Sequence, residues 1–113
     1  MKAAFEVHTQ LGPGLLESAY RRCLLQELSL SGLGTESEIA IPMIYRGLEF
    51  DCTYRADLLV EGKVMLELKT VERILPIHKA QLLTYLKLTK IKLGYVLNFH
   101  SIHLRDGMCR LIA

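Results

Sequence analysis

Residues 55–69 constrain the fold most strongly, because apolar and polar side chains alternate along them on both sides of a turn that contains glycine. A period of two is typical of β-strands. If the turn holds three residues, 61–63, then Val60 faces Val64 and apolar side chains face each other throughout. A two-residue turn would instead place Asp57 among leucines. The segment therefore predicts a β-hairpin with a three-residue turn.

Two carboxylates meet across this hairpin in the predicted register. Asp57 lies opposite Glu67, and Arg55 lies opposite Lys69. The face pointing away from them holds Ala56, Leu58 and Val60. Opposed like charges repel, and a divalent cation with oxygen ligands, such as Mg²⁺, would offset the repulsion. Lys69 could then orient or deprotonate a water molecule that attacks a substrate phosphate bound at the cation. The alternative is a solvated face whose charges Arg55 and Lys69 relieve.

The rest of the chain predicts one layered α/β domain over residues 1–113. Helical periodicity covers residues 3–11 and 15–28, which are joined at a glycine-proline corner. Another helix is predicted at 76–90, with Pro76 in its first turn. Strands are predicted at 39–45, 48–60, 64–71, 93–99 and 108–113, the first three forming an antiparallel meander.

Composition excludes several classes of protein. The net charge of +2 is too small to indicate a nucleic-acid partner by bulk charge. The three cysteines, Cys23, Cys52 and Cys109, are widely spaced, which is typical of core residues rather than of a disulfide framework or a zinc site. Glu6 and His8 interrupt any secretory leader, and no apolar run is long enough to cross a membrane. We therefore expect a soluble cytoplasmic protein without a membrane partner.

Polar residues on two helices are candidates to join the hairpin. Glu17 and Tyr20 lie one turn apart on the second helix. Glu17 could assist a metal site or favour the helix dipole, and Tyr20 could touch a substrate or pack. On the later helix, His78, Gln81 and Tyr85 form a polar stripe. Gln81 offers a donor and an acceptor to a phosphate or a base. The alternatives are an exposed glutamine and a capping or packing histidine.

These motifs together resemble those of the PD-(D/E)XK nuclease superfamily. The match consists of Asp57, then Glu67-Leu68-Lys69, between a helical Glu17 and a helical Gln81-x-x-x-Tyr85. The segment Gly14-Leu15-Leu16-Glu17-Ser18-Ala19-Tyr20 is similar to the signature of the GxxExxY branch. Ala56 stands where the superfamily's name has proline. The resemblance covers essentially the whole chain.

The resemblance implies a restriction-endonuclease-like αβββαβ core with a mixed sheet flanked by helices. It also implies Asp57 and Glu67 as ligands of Mg²⁺ or Mn²⁺, Lys69 as the catalytic lysine, Glu17 as an accessory acid, and Gln81 with Tyr85 as an exonuclease-like helix motif. His78, Tyr85 and Tyr20 are the expected substrate contacts.

We expect a metal-dependent nuclease that hydrolyses phosphodiester bonds of nucleic acid, with DNA as the expected partner. A non-catalytic nucleic-acid-binding or assembly module that keeps the fold is the main alternative. A nucleotide-directed hydrolase on the same scaffold is a weaker one. The domain could form a homodimer that surrounds a duplex, but the sequence does not show the interface.

Overall fold

The computed structural model describes residues 1–50 and 54–113, so Cys52 lies outside the described residues. Three helices are described: α1 (Lys2–Leu11), α2 (Glu17–Leu30) and α3 (Pro76–Thr89). The strands are β1 (Thr35–Ala40), β2 (Met43–Tyr45), β3 (Leu48–Phe50), β4 (Arg55–Val60), β5 (Val64–Lys69), β6 (Leu93–Asn98) and β7 (Met108–Ile112). In this part of the chain, no helix is long and apolar enough to span a membrane.

Five strands form one mixed sheet in the order β1-β4-β5-β6-β7. All neighbours in it are antiparallel except β5 and β6, which are parallel. A parallel pair needs a crossover connection, and α3 supplies it. The expected fold class is confirmed: the domain is a mixed sheet flanked by three helices.

The sheet separates two apolar cores. The α1/α2 core consists of Ala4, Val7, Tyr20, Leu24, Leu28, Leu58, Leu66, Leu68, Leu97, Phe99 and Leu104. The α3 core consists of Ile41, Ala56, Leu59, Met65, Leu82, Tyr85, Leu86 and Val96. Adjacent residues of β5 and β6 alternate between the two cores, as residues of a doubly covered sheet should. Polar side chains within β4 and β5, such as Asp57 and Glu67, are therefore exceptions in a sheet that is covered on both faces.

The prediction of continuous strands at 39–45 and 48–60 is wrong, because each range contains parts of two separate strands. β2 pairs with β3 as a separate two-stranded ladder, while β1 and β4 pair in the main sheet. Pro42 lies between β1 and β2, and proline cannot donate a hydrogen bond to a ladder. The result is a hairpin of residues 43–50 that projects beyond the main sheet.

The corner between α1 and α2 follows the sequence prediction. Gly12 and Gly14 adopt φ values of 69° and 101°, which side chains with a Cβ rarely adopt. The corner directs α2 back across the sheet, and its first residue is Glu17.

Candidate active site

The β4–β5 hairpin has the predicted register. Val60 pairs with Val64, and Leu58 pairs with Leu66, so the turn holds residues 61–63. Glu61 and Gly62 both have positive φ, at 54° and 65°. The prediction of a three-residue turn is confirmed.

Regular pairing of β4 with β5 ends at Leu58 and Leu66, and two side chains continue the connection. The backbone N–H of Asp57 donates to Oε1 of Glu67 at 3.1 Å. The backbone N–H of Leu68 donates to Oδ2 of Asp57 at 2.7 Å. Each carboxylate thus crosses to the opposite strand. The predicted pairing of Arg55 with Lys69 is not part of this ladder.

The alternation of faces along β4 reverses at Asp57. Leu58 packs in the α1/α2 core, but Ala56 packs in the α3 core, so the prediction that the two share a face is wrong. The neighbouring strand reverses at the same level, since Glu38 has a φ of 52° and does not pair with Asp57, although the residues on either side do pair across. A matched irregularity in two strands keeps their register while turning both. It brings Asp57 to the point where β4 and β5 part.

Helix α2 adds one acid and one base to this point. Glu17 begins the helix, and Arg21 lies one turn later. The guanidinium of Arg21 is 3.4 Å from a carboxylate oxygen of Glu38 and 4.0 Å from Oδ1 of Asp57. Arg21 is therefore a member of this cluster that sequence reasoning missed. The one-turn spacing of Arg21 from Glu17 was the available signal.

Burial raises the pKa of all three carboxyl groups. Glu67 is only 6% exposed, and desolvation followed by the nearby charge of Asp57 raises its pKa to about 8. Desolvation also raises the pKa of Asp57, against the opposing effects of the Leu68 N–H, Lys69 and Arg21. The pKa of Glu17 is raised by desolvation and then by Asp57. Lys69 counteracts the rise in each case. Glu17, Asp57, Glu67 and Lys69 thus form one electrostatic cluster, as the sequence predicted.

Asn98 fixes the chain that follows Lys69, a role that sequence reasoning missed. Lys69 ends β5 beside Asn98 of β6. The amide of Asn98 donates to the carbonyl oxygen of Val71 at 2.8 Å and accepts its N–H at 3.1 Å. The backbone N–H of Phe99 donates to the carbonyl oxygen of Lys69 at 2.9 Å. Because Asn98 is 1% exposed, its amide needs such partners.

The α3 residues have different environments. His78 caps its own helix, since Nδ1 accepts the backbone N–H of Leu75 at 3.0 Å. Tyr85 is 5% exposed and lies in the α3 core. Gln81 is half-buried one position before Leu82 and makes no hydrogen bond within the described residues. Within the described residues, no hydrogen bond or ion pair links His78 or Gln81 to the carboxylate cluster.

Tyr20 is a packing residue rather than the expected substrate contact. It is completely buried and stacks on Phe99 with ring centroids 4.6 Å apart. Its hydroxyl donates to the carbonyl oxygen of Gly12 at 2.5 Å and accepts the N–H of Leu15 at 3.1 Å. Because both hydrogen bonds of the Tyr20 hydroxyl are made within the chain, Tyr20 stabilises the corner that precedes Glu17.

The donor set suits a hard cation with few protein ligands. Within residues 1–50 and 54–113, no three His, Cys, Asp or Glu side chains are arranged to hold a metal ion. Mg²⁺ is commonly held by only one or two carboxylates, with other positions left for water and substrate. Asp57 and Glu67 each use one oxygen for a backbone N–H. The second oxygen of Asp57 is 4.0 Å from the Arg21 guanidinium, and that of Glu67 makes no hydrogen bond within the described residues, so each carboxylate keeps one oxygen that fits such an ion.

A comparison with protein families matches residues 1–111 to the PD-(D/E)XK nuclease superfamily. Searches of curated proteins and of solved structures gave no significant match. The family match spans α1 to β7 and includes the hairpin that carries Asp57, Glu67 and Lys69. Fold and family match agree, and the chain belongs to the PD-(D/E)XK nuclease superfamily.

Proposed function

We propose that this domain is a metal-dependent nuclease that hydrolyses phosphodiester bonds of nucleic acid, with DNA as the substrate. One observation carries the proposal: three carboxyl groups whose pKa values are raised by burial all interact electrostatically with Lys69 at the end of β5. A packed domain gains no stability from such a cluster, because burial disfavours each charge. Clusters of this kind are typical of sites that bind a cation or transfer protons.

Asp57 and Glu67 are the proposed ligands of Mg²⁺ or Mn²⁺. Their backbone hydrogen bonds fix both carboxylates before an ion arrives, which lowers the cost of ordering them on binding. The ion supplies Lewis-acid stabilisation of the phosphate charge. Arg21 limits the negative charge at Asp57 and so holds the cluster together in the absence of an ion.

Lys69 is the proposed catalytic residue. It follows Leu68, whose N–H binds Asp57, and Asn98 fixes the chain beyond it. An ammonium group held there can orient the attacking water and stabilise the negative charge that develops on the phosphate. Glu17 is the proposed accessory acid, because it belongs to the same electrostatic cluster as Asp57 and Lys69, and burial raises its pKa and so favours a carboxyl that holds a proton.

Gln81 is the proposed contact to the nucleic acid from α3, since its amide can serve a phosphate or a base. Tyr85 supports this helix from the core, and His78 supports its start. Membership of the GxxExxY branch, homodimerisation and a cytoplasmic location stay predictions.

The competing proposal is a nucleic-acid-binding module without catalysis. One observation favours it: Asp57 and Glu67 each accept a backbone N–H from the opposite strand, so both residues have a structural role that requires no catalysis. Both proposals predict nucleic-acid binding, and cleavage separates them.

The test is a cleavage assay on circular and linear DNA and on RNA, single- and double-stranded, with Mg²⁺, Mn²⁺ or chelator. Lys69→Ala should abolish cleavage and leave Mn²⁺ binding by calorimetry largely intact, because lysine acts on water and phosphate rather than on the ion. Lys63→Ala, in the exposed turn of the same hairpin, is the matched control and should remain active. Binding without cleavage of any substrate would favour the module, and full activity of Lys69→Ala would remove the assigned role.

A further inference from the structure

Tyr54 presents an aromatic ring to solvent from a fixed position. Its carbonyl oxygen accepts the backbone N–H of Ile41 at 3.1 Å, which extends the pairing of β1 with β4 by one step. Its side chain is nevertheless 47% exposed. A large ring on a fixed backbone loses little conformational freedom when a ligand binds.

A second ring supports Tyr54 from behind. The ring centroids of Tyr54 and Tyr85 are 6.3 Å apart, and the planes are tilted by 54°. This geometry lies within the range that aromatic pairs prefer. Tyr85 is itself held in the α3 core. Tyr54 thus has one side supported by the protein, while about half of its surface stays accessible.

The exposed ring belongs to the residue that directly precedes β4, the strand that carries Asp57. Tyr54 is three residues before Asp57, a separation of roughly 10 Å along an extended strand. It has the same strand parity as Ala56, which packs in the α3 core. Glu67 has the same parity as Met65, which packs there too, and Gln81 lies one turn before Tyr85 on α3. One nucleic-acid strand could therefore touch Tyr54 and the carboxylate cluster at the same time.

We propose that Tyr54 stacks on an unpaired base next to the phosphate at the carboxylate cluster, so that the substrate is single-stranded nucleic acid or an unpaired end. The inference rests on the proposed nuclease function. Aromatic stacking tolerates any sequence because every base has a π-face. In a duplex those faces are covered by neighbouring bases, so an exposed tyrosine ring selects strands whose bases are accessible.

Binding of labelled oligonucleotides with Ca²⁺ in place of Mg²⁺ tests the proposal without cleavage. Tyr54→Ala should bind single-stranded DNA roughly 5- to 150-fold more weakly, the range expected for one stacked base. It should change duplex binding little. Tyr54→Phe should bind as wild type. Tyr45→Ala is the matched control, because Tyr45 is 66% exposed on the projecting hairpin, where Arg46 lies over its ring.

Fluorescence gives a second readout in a folded variant. The chain has no tryptophan, so Tyr54→Trp introduces a single reporter at the proposed stacking position. Single-stranded DNA should quench it strongly, and duplex DNA should quench it much less. Tyr45→Trp should respond to neither.

Two results would overturn the proposal. One is equal loss of single-stranded and duplex binding in Tyr54→Ala, and the other is no preferential quenching of Tyr54→Trp by single strands. Failure of the nuclease proposal is distinguishable, because stacking would then be observed without cleavage in Mg²⁺ or Mn²⁺.

Discussion

Glu67→Gln should make the stability of the metal-free protein less dependent on pH. Glutamine has the shape of a protonated glutamate, and its carbonyl oxygen can still accept the Asp57 N–H that Glu67 accepts at 3.1 Å. The substitution therefore removes the charge while keeping the connection between β4 and β5. Any difference between the two proteins reports the titration of Glu67.

The sign follows from the raised pKa. Glu67 titrates at about 8 in the folded chain, against an ordinary value of 4.5. Between these values the folded state binds more protons than the unfolded state. The contribution of Glu67 to stability is therefore fully present below pH 4.5 and is lost as pH rises through 8. One proton corresponds to about 1.4 kcal/mol per pH unit. From pH 5 to pH 8, wild type should lose on the order of 3 to 4 kcal/mol through this group.

Urea unfolding at several pH values in chelator measures this loss. The two proteins should have similar unfolding free energies near pH 5, and Glu67→Gln should be the more stable near pH 8. Glu72→Gln is the control, since Glu72 is exposed just beyond β5. A constant difference between wild type and Glu67→Gln across this pH range would refute the reasoning, because Glu67 would then have the same pKa in both states.

Three further changes test other parts of the site. Asp57→Asn should reduce the rise in melting temperature that Mn²⁺ gives to wild type, because an ion that binds only the folded state stabilises by mass action; an undiminished rise would exclude Asp57 as a ligand. Gln81→Ala should lower turnover with little change in urea midpoint, since Gln81 makes no hydrogen bond within the described residues; unchanged kinetics would leave it no role. Tyr20→Phe should cost about 1 to 3 kcal/mol of unfolding free energy, since it leaves the Gly12 carbonyl and Leu15 N–H without their partner; a neutral result would show that water replaces the hydroxyl.

The sequence predicted the hairpin register because one choice of turn matched apolar residues with apolar residues. It could not predict the reversal of faces at Asp57. The reversal depends on the backbone of Glu38 in another strand, and Glu38 is not a residue type that indicates positive φ. Alternation is a property of one strand, whereas this irregularity belongs to two.

The candidate site residues that the sequence indicated in the hairpin are charged residues in an otherwise apolar segment. Asn98, which it missed, is a polar residue whose side chain bonds to backbone atoms. Asp57 and Glu67 stood out because two acids faced each other in an apolar hairpin. Asn98 gave no such signal, because its partners are main-chain atoms of Val71, 27 positions away. In the sequence, the position of Tyr20 on its helix suits a substrate contact and a core residue equally well. The hydrogen bond from its hydroxyl to the Gly12 carbonyl oxygen, which depends on how the corner folds, decides for the core.

The two side-chain bridges between β4 and β5 also bear on how this domain could evolve. Selection for folding alone would keep an oxygen acceptor at 57 and at 67, because both backbone N–H groups need one. Asparagine and glutamine satisfy that need without charge. If the domain is the nuclease proposed above, a lineage that lost hydrolysis would therefore be expected to acquire amides at these two positions rather than alanine. Amides in a related chain would thus indicate lost catalysis in an intact scaffold.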